Sequence, residues 1–201
     1  TGYDFHIIVE EEENHLTVRG ATRCVSDRVC VMIGGGGSTE IAIYDVTIIE
    51  EENTSIGVMD VLNVFPDLAQ DYASTSLEEV MDFIKERLNL PKTKVDTLIL
   101  AGGGHEKFAR ESGITYEDNT VYTDNHAPIM MDIDTRRKDT KRYFEEISLD
   151  AIRGNSSDPA WWDATRAMCA FALVVAEEVQ AKVIIPTDLS MTYGIIETFD
   201  K

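Results

Sequence analysis

The chain has 201 residues, 37 of them acidic and 18 basic, for a formal charge of −19 at pH 7. So acidic a surface excludes non-specific binding to nucleic acid or to anionic membranes, because both need a basic face. No apolar run approaches the roughly 20 residues that cross a bilayer, while a hydrophobic content of 43% suffices for one sizeable core.

The opening TGYDFHIIV is not a basic stretch followed by an apolar one, so no secretory signal is expected. Three cysteines, Cys24, Cys30 and Cys169, cannot all pair and match no zinc spacing, which points to the reducing cytoplasm. A start at Thr1 reads as a fragment of something longer. The connections are too short for independent domains, so residues 1–201 read as one unit.

In chain order, residues 3–9 are aromatic and β-branched and predict a strand. The glutamate run Glu10–Glu13 follows and leads into a helix reaching Val25, with Leu16, Ala21, Cys24 and Val25 at loose helical spacing. RVCVMI (28–33) predicts a second strand. Gly34–Gly37 interrupt it, and TEIAIYDVTII continues as a strand with Thr39, Ile41 and Ile43 on one side and Ala42 and Tyr44 on the other. Strand, glycine turn and strand together predict a hairpin.

Glu50–Asn53 reads as a polar break, and SIGVMDVLNVF as a short helix. Ser76 with Glu79 three residues on is a capping box that opens the helix SLEEVMDFIKERL. VDTLIL (95–100) predicts a buried strand, AGGG (101–104) a tight turn and HEKFARE a helix. Residues 112–142 show little periodicity and read as an insertion, and Tyr143–Ile152 as helical. Asp158-Pro159 predicts the start of a long helix through Gln180. KVIIP is a further strand and Thr192–Phe199 a last short helix. The order predicts an α/β fold, a mixed sheet flanked by helices.

MIGGGGSTEI carries the sharpest functional signal. Successive glycines free the main chain to adopt positive φ and to approach a ligand closely. Consecutive N–H groups in such a turn form an anion nest, to which Ser38 adds a hydroxyl. It is not a P-loop, which needs a lysine before its Ser/Thr. Nor is it a dinucleotide fingerprint, since a strand and not a helix follows. A purely structural hairpin is the other reading. The second turn, with Gly103 and Gly104 at a helix N-terminus, is a further anion candidate, or an ordinary strand–helix joint.

Four stretches in this order resemble the exopolyphosphatase / guanosine pentaphosphate phosphatase family, part of the acetate kinase, sugar kinase, actin and heat-shock chaperone ATPase superfamily. They are EEEENHLTVRG (Glu10 to Gly20), IGGGGSTE (Ile33 to Glu40), LILAGGGHEKFAR and MCAFALVVAEEVQAKVIIPTDLSMTYG. The resemblance implies a ribonuclease H-like (actin-like ATPase) lobe, the second half of a two-lobe phosphatase whose N-terminal lobe is absent. It implies that Glu13 is catalytic and orients or deprotonates the attacking water. Gly35, Gly36, Gly37 and Ser38 would cradle phosphate, and Glu40 would help to hold Mg²⁺. The implied substrate is inorganic polyphosphate or a guanosine polyphosphate, cleaved at terminal phosphoanhydride bonds. Several positions depart from the family: Ile33 stands for an aspartate, His105 for a threonine, and Leu189, Met191 and Thr192 interrupt an arginine-rich pattern. A phosphate- or nucleotide-binding regulatory module that has lost turnover is therefore the alternative. An actin- or kinase-like ATPase is a third, which requires an adenine pocket near Gly102–Gly104.

The basic run RRKDTKR (136–142) reads as a polyanion track or as a solvated helix start. Asp124, His126, Asp132 and Asp134 are metal-ligating types at poor spacing. His105 faces either a phosphate or solvent. Trp161 and Trp162 cannot both enter one core, which leaves one as an interface residue toward a partner lobe or a homodimer. Met168, Phe171, Val175 and Val179 recur at helical spacing and are expected in the core.

Overall fold

Three strands whose residues are apolar at nearly every position form the centre of the sheet: β1 (Val29–Gly34), β4 (Thr97–Ala101) and β7 (Val183–Thr187). They run parallel and side by side, β1 to β4 to β7, and are covered on both faces, as parallel strands of this composition require. The computed structural model describes residues 7–102, 104–111, 117–118, 121–123, 129–154 and 159–199. β2 (Thr39–Asp45) folds back antiparallel on β1, and β3 (Thr47–Thr54) antiparallel on β2. At the other edge β6 (Ile129–Asp132) lies antiparallel to β7, and the two-residue β5 (Glu117–Asp118) to β6. The strand order is β3-β2-β1-β4-β7-β6-β5.

One face carries α2 (Val58–Val64), α3 (Leu77–Lys85), α5 (Ile133–Glu145) and α7 (Thr165–Val179). Val61, Ile84 and Phe171 pack there against Met32, Ile41 and Leu100. The capping box of α3 forms as its sequence predicts: the Glu79 amide donates to Ser76 Oγ (3.2 Å) and the Ser76 amide to the Glu79 carboxylate (3.2 Å). The opposite face carries α1 (Glu10–Thr22) and α8 (Met191–Phe199). Val18 and Ala21 pack there against Val31, Ala42 and Ile99. α1 and α8 cross backbone to backbone. A Cβ placed on Gly194 would stand 1.9 Å from the Leu16 carbonyl oxygen, and one on Gly20 2.6 Å from that of Ser190. The alternation expected along β2 holds, with Ile41 and Ile43 on the α7 face and Ala42 on the α1 face.

Arg166 in α7 is fully buried, and main-chain carbonyls take up its guanidinium. Nε donates to Tyr143 (2.7 Å), Nη1 to Leu68 (2.9 Å) and Gln70 (2.7 Å), and Nη2 to Asp71 and Ile147 (2.9 Å each). All five N–H donors of the side chain are thus engaged. This one residue ties α7 to the short helical turn Pro66–Ala69 and to the end of α5.

Several sequence expectations change. TEIAIYDVTII is two strands, because the chain reverses at Val46 (φ 64°), and Glu50–Asn53 belongs to β3. The second half of the expected insertion is ordered as β6 and α5, and the basic run lies inside α5. Tyr143–Ile152 is divided between α5 and α6 (Leu149–Arg153), and the residues after Pro159 form a 3-10 turn, Pro159–Ala164, before α7 begins. The strand expected at 3–9 lies largely outside the described residues, and Ile7–Val9 are not strand. Among the described residues no helix is long and apolar enough to cross a membrane.

Candidate functional site

Both glycine turns follow the carboxyl ends of central parallel strands, so the topology brings them to one end of the sheet. The first closes with the Gly35 amide donating to the Ser38 carbonyl (2.9 Å), after which β2 starts at Thr39. The corner leans on the start of α2, where the Val58 and Met59 amides donate to the Gly35 (3.1 Å) and Gly36 (2.9 Å) carbonyls. Only glycine at position 57 permits this approach, since a Cβ there would meet Gly36 and the Gly35 carbonyl at 2.5–2.6 Å. The positive φ expected of the tetraglycine occurs instead in the second turn, at Gly102 (71°) and Gly104 (70°). Close approach, not left-handed backbone, is what the first corner uses. Among the described residues, the amides of Gly36, Gly37 and Ser38 make no hydrogen bond.

Beside this corner lie carboxylates from two elements. Glu40 alternates with Thr39 and Ile41, so its side chain takes the α1 face, and it is buried. Its pKa is raised, first by burial and then by the charges of Glu10 and Glu13 in the first turn of α1; the Ser38 hydroxyl pulls it down. The Ser38 hydroxyl thus reaches Glu40, and the charges of Glu10 and Glu13 are felt there, although these residues span 31 positions of sequence. Ile33 lies opposite Glu40 across the β1–β2 ladder.

The second turn differs. It leads into α4 (His105–Glu111), whose Glu106 amide donates to Asp188 Oδ1 (3.0 Å), so a carboxylate from the segment after β7 already caps the helix. Burial raises the Asp188 carboxyl, and the Glu106 and Lys107 amides oppose the shift. Gly103 lies outside the described residues, whereas Gly104 lines a cavity. That cavity, about 330 Å³, lies between the two glycine turns on the α7 side, with Met59, Phe108, Trp162 and Met168 among its walls. His105 also lines it and is buried, facing neither solvent nor the first corner's carboxylates; burial and the charge of Arg136 hold its pKa down at about 4.

The remaining candidates have structural roles or fall outside the described residues. Asp132 caps α5, accepting from the Thr135 amide (2.9 Å), Asp134 is exposed, and Asp124 and His126 are not described. In the basic run Arg136 is buried, while Arg137 pairs with Glu177, Lys141 with Glu145 (3.5 Å) and Arg142 with Asp139 (3.6 Å). Trp162 is buried with its ring centroid 5.0 Å from that of Phe108; the Trp161 side chain is not described. Phe171, Val175 and Val179 are core, and Met168 is half-buried at the cavity wall. The cavity, the burial of Arg136 at its wall and the Asp188 cap escaped the sequence reading, since each joins elements far apart in the chain.

A mixed sheet with two glycine turns at the carboxyl ends of its central strands, and helices on both faces, is the actin-like ATPase fold. Within it, the chain has the fold of the C-terminal part of the Ppx/GppA exopolyphosphatases. The Aquifex aeolicus Ppx/GppA phosphatase superposes with a TM-score of 0.70 at 18% identity, over 94% of this chain and 63% of that one. An exopolyphosphatase from Cytophaga hutchinsonii superposes at 0.60 and 17% identity, over 93% and 62%. This chain therefore spans less than two thirds of the length of those proteins. No family model matches the sequence, and no curated protein does.

Proposed function

We propose that the chain is one wall of a phosphatase cleft that hydrolyses terminal phosphoanhydride bonds of inorganic polyphosphate or guanosine pentaphosphate, completed by a facing N-terminal lobe. The observation that carries this reading is a glycine corner with three open amides beside the buried Glu40, on which the Ser38 hydroxyl and the charges of Glu10 and Glu13 act. Open N–H groups suit phosphate oxygens, and carboxylates beside them suit a cation that bridges to the same oxygens.

Each residue then has a role. The amides of Gly36, Gly37 and Ser38 and the Ser38 hydroxyl hold a terminal phosphate, with Gly35 closing the turn. Glu13, exposed at the start of α1, orients or deprotonates the attacking water. The donor set fits Mg²⁺: hard oxygen atoms, and a buried Glu40 carboxyl whose crowding by Glu10 and Glu13 a cation would relieve. Mg²⁺ bound there would neutralise phosphate charge. Among the described residues no cluster of three metal-ligating side chains exists, in keeping with an ion held by one or two carboxylates, water and the substrate. The chemistry is mainly positioning and charge neutralisation. The free cysteines fit a reducing, cytoplasmic setting.

Phosphate release from polyphosphate and from guanosine pentaphosphate by the full-length protein with Mg²⁺ tests the reading. Glu13→Gln is expected to lower the rate by roughly 10²–10⁴ with phosphate binding retained. Equal rates for the parent and Glu13→Gln would refute it.

A further inference from the structure

The glycine corner has two sides. Glu40 takes the α1 face of the sheet, whereas a Cβ on Gly34 would meet the Met168 side chain of α7 at 2.7 Å. Main chain from Gly34 to Gly36 thereby forms one wall of the 330 Å³ cavity on the α7 face. We propose that this cavity binds a small uncharged ring compound with a hydroxyl or carbonyl on its edge, at a site separate from the phosphate-holding side of the corner.

Size and walls describe the ring. The volume lies at the small end of the range for small-molecule pockets, about 300–1,000 Å³. Phe108 and Trp162, tilted 42° to one another, supply aromatic surface, and Met59 and Met168 are walls that adapt to an irregular outline.

Three buried polar atoms describe the edge. Among the described residues, Trp162 Nε1, Thr165 Oγ1 and His105 Nε2 have no hydrogen-bond partner, and all three residues line this one cavity. Native interiors leave few such groups unsatisfied, and here they gather around one apolar chamber. The indole N–H only donates, so it asks for an oxygen that accepts. The threonine hydroxyl gives or takes a hydrogen bond, as does an imidazole nitrogen in the neutral ring. With its pKa at about 4, His105 is neutral at pH 7. A hydroxyl or a carbonyl on the ligand therefore finds a complement without carrying charge.

The charges at the wall are already spoken for. Arg136 Nη2 donates to Cys169 Sγ (3.2 Å), and Arg136 and the buried Asp139 carboxyl act on one another one helical turn apart. An ionic ligand would thus leave water for apolar walls with no spare counter-charge, at a heavy desolvation cost. The chain's net charge of −19 works further against a free anion.

Titration of the full-length protein with phenol and with fluorobenzene, a ring of nearly the same size without a hydroxyl, tests this. Phenol is expected to bind at least tenfold more tightly than fluorobenzene, and at least tenfold more tightly than benzoate. Trp162→Phe with Thr165→Val keeps an aromatic ring and a β-branched side chain, and is expected to remove most of the preference for phenol over fluorobenzene. Ala164→Leu, which fills the cavity from its wall, is expected to weaken both ligands. Should the double variant fail to fold, Ala164→Leu and the three ligands on the unaltered protein still decide. Equal affinity for phenol and fluorobenzene, benzoate bound as tightly as phenol, phenol affinity untouched by Ala164→Leu, or a full phenol preference in the folded double variant would overturn the proposal.

Discussion

Gly20 and Gly194 lie against each other where α1 crosses α8, so close that a Cβ on Gly20 would stand 2.8 Å from the Gly194 amide nitrogen. The two helices meet through main chain, with no side-chain layer between them. Gly194→Ala would drive a methyl group into the Leu16 carbonyl at 1.9 Å, which only a backbone shift relieves. The expected loss is about 2–3 kcal/mol, the range for overpacked interiors, measured by urea unfolding. Because α1 also carries Glu13, the same variant displaces that carboxylate from Glu40.

Arg166→Met leaves the carbonyls of Leu68, Gln70, Asp71, Tyr143 and Ile147 without their donor. Roughly 3–5 kcal/mol should be lost, as when one member of a buried polar cluster is deleted. Arg166→Lys recovers only part of it, because an ammonium offers three donors and no planar fork. Thermal melts of the two variants beside the parent check the order.

The contribution of His105 to stability should fall as the solution is acidified from pH 6.5 toward 4. His105 titrates at about 4 when folded and at its ordinary 6.5 when unfolded, so in that window the unfolded chain holds more protons and stability rises with pH. The size is on the order of 3 kcal/mol across the window. Glu40, Asp139 and Asp188 have raised pKa values and act in the opposite direction. The contribution of His105 is therefore the difference in pH dependence between the parent and His105→Gln, and a variant with the parent's slope would contradict the assignment.

Val46 turns the chain from β2 to β3 with φ at 64°, a left-handed conformation that a β-branched residue adopts at a cost of roughly 1–2 kcal/mol. Val46→Gly should stabilise the protein by about 1 kcal/mol after the extra entropy of the unfolded glycine is subtracted. Chemical denaturation of the single variant suffices to test it.

That same residue shows why part of the fold was hidden. A turn announced by neither Gly nor Asn, but by a valine, is invisible to turn chemistry, so β2 and β3 read as one strand. α5 escaped for a related reason. Its buried positions are Arg136, Asp139, Thr140, Tyr143 and Phe144, so helical periodicity exists but is written largely in polar residues. α1 likewise buries Asn14, Thr17 and Gly20, while Leu16 is only half-buried. What was legible obeyed simple rules: apolar runs for β1, β4 and β7, a capping box for α3, and a glycine hairpin between β1 and β2. The candidate site was legible only where residues cluster locally, at Gly35–Glu40. Its link to Glu13 came from the family resemblance, and the cavity needs five separated stretches of chain before it exists.

Four consecutive glycines would ordinarily make a loose, wandering loop. Here the Gly35 and Gly36 carbonyls are latched by the Val58 and Met59 amides, and the turn closes on itself through Gly35 and Ser38. Whatever freedom that stretch loses is surrendered when the chain folds, well before any guest arrives. An arriving oxyanion would meet a stiff mould and owe little additional ordering entropy.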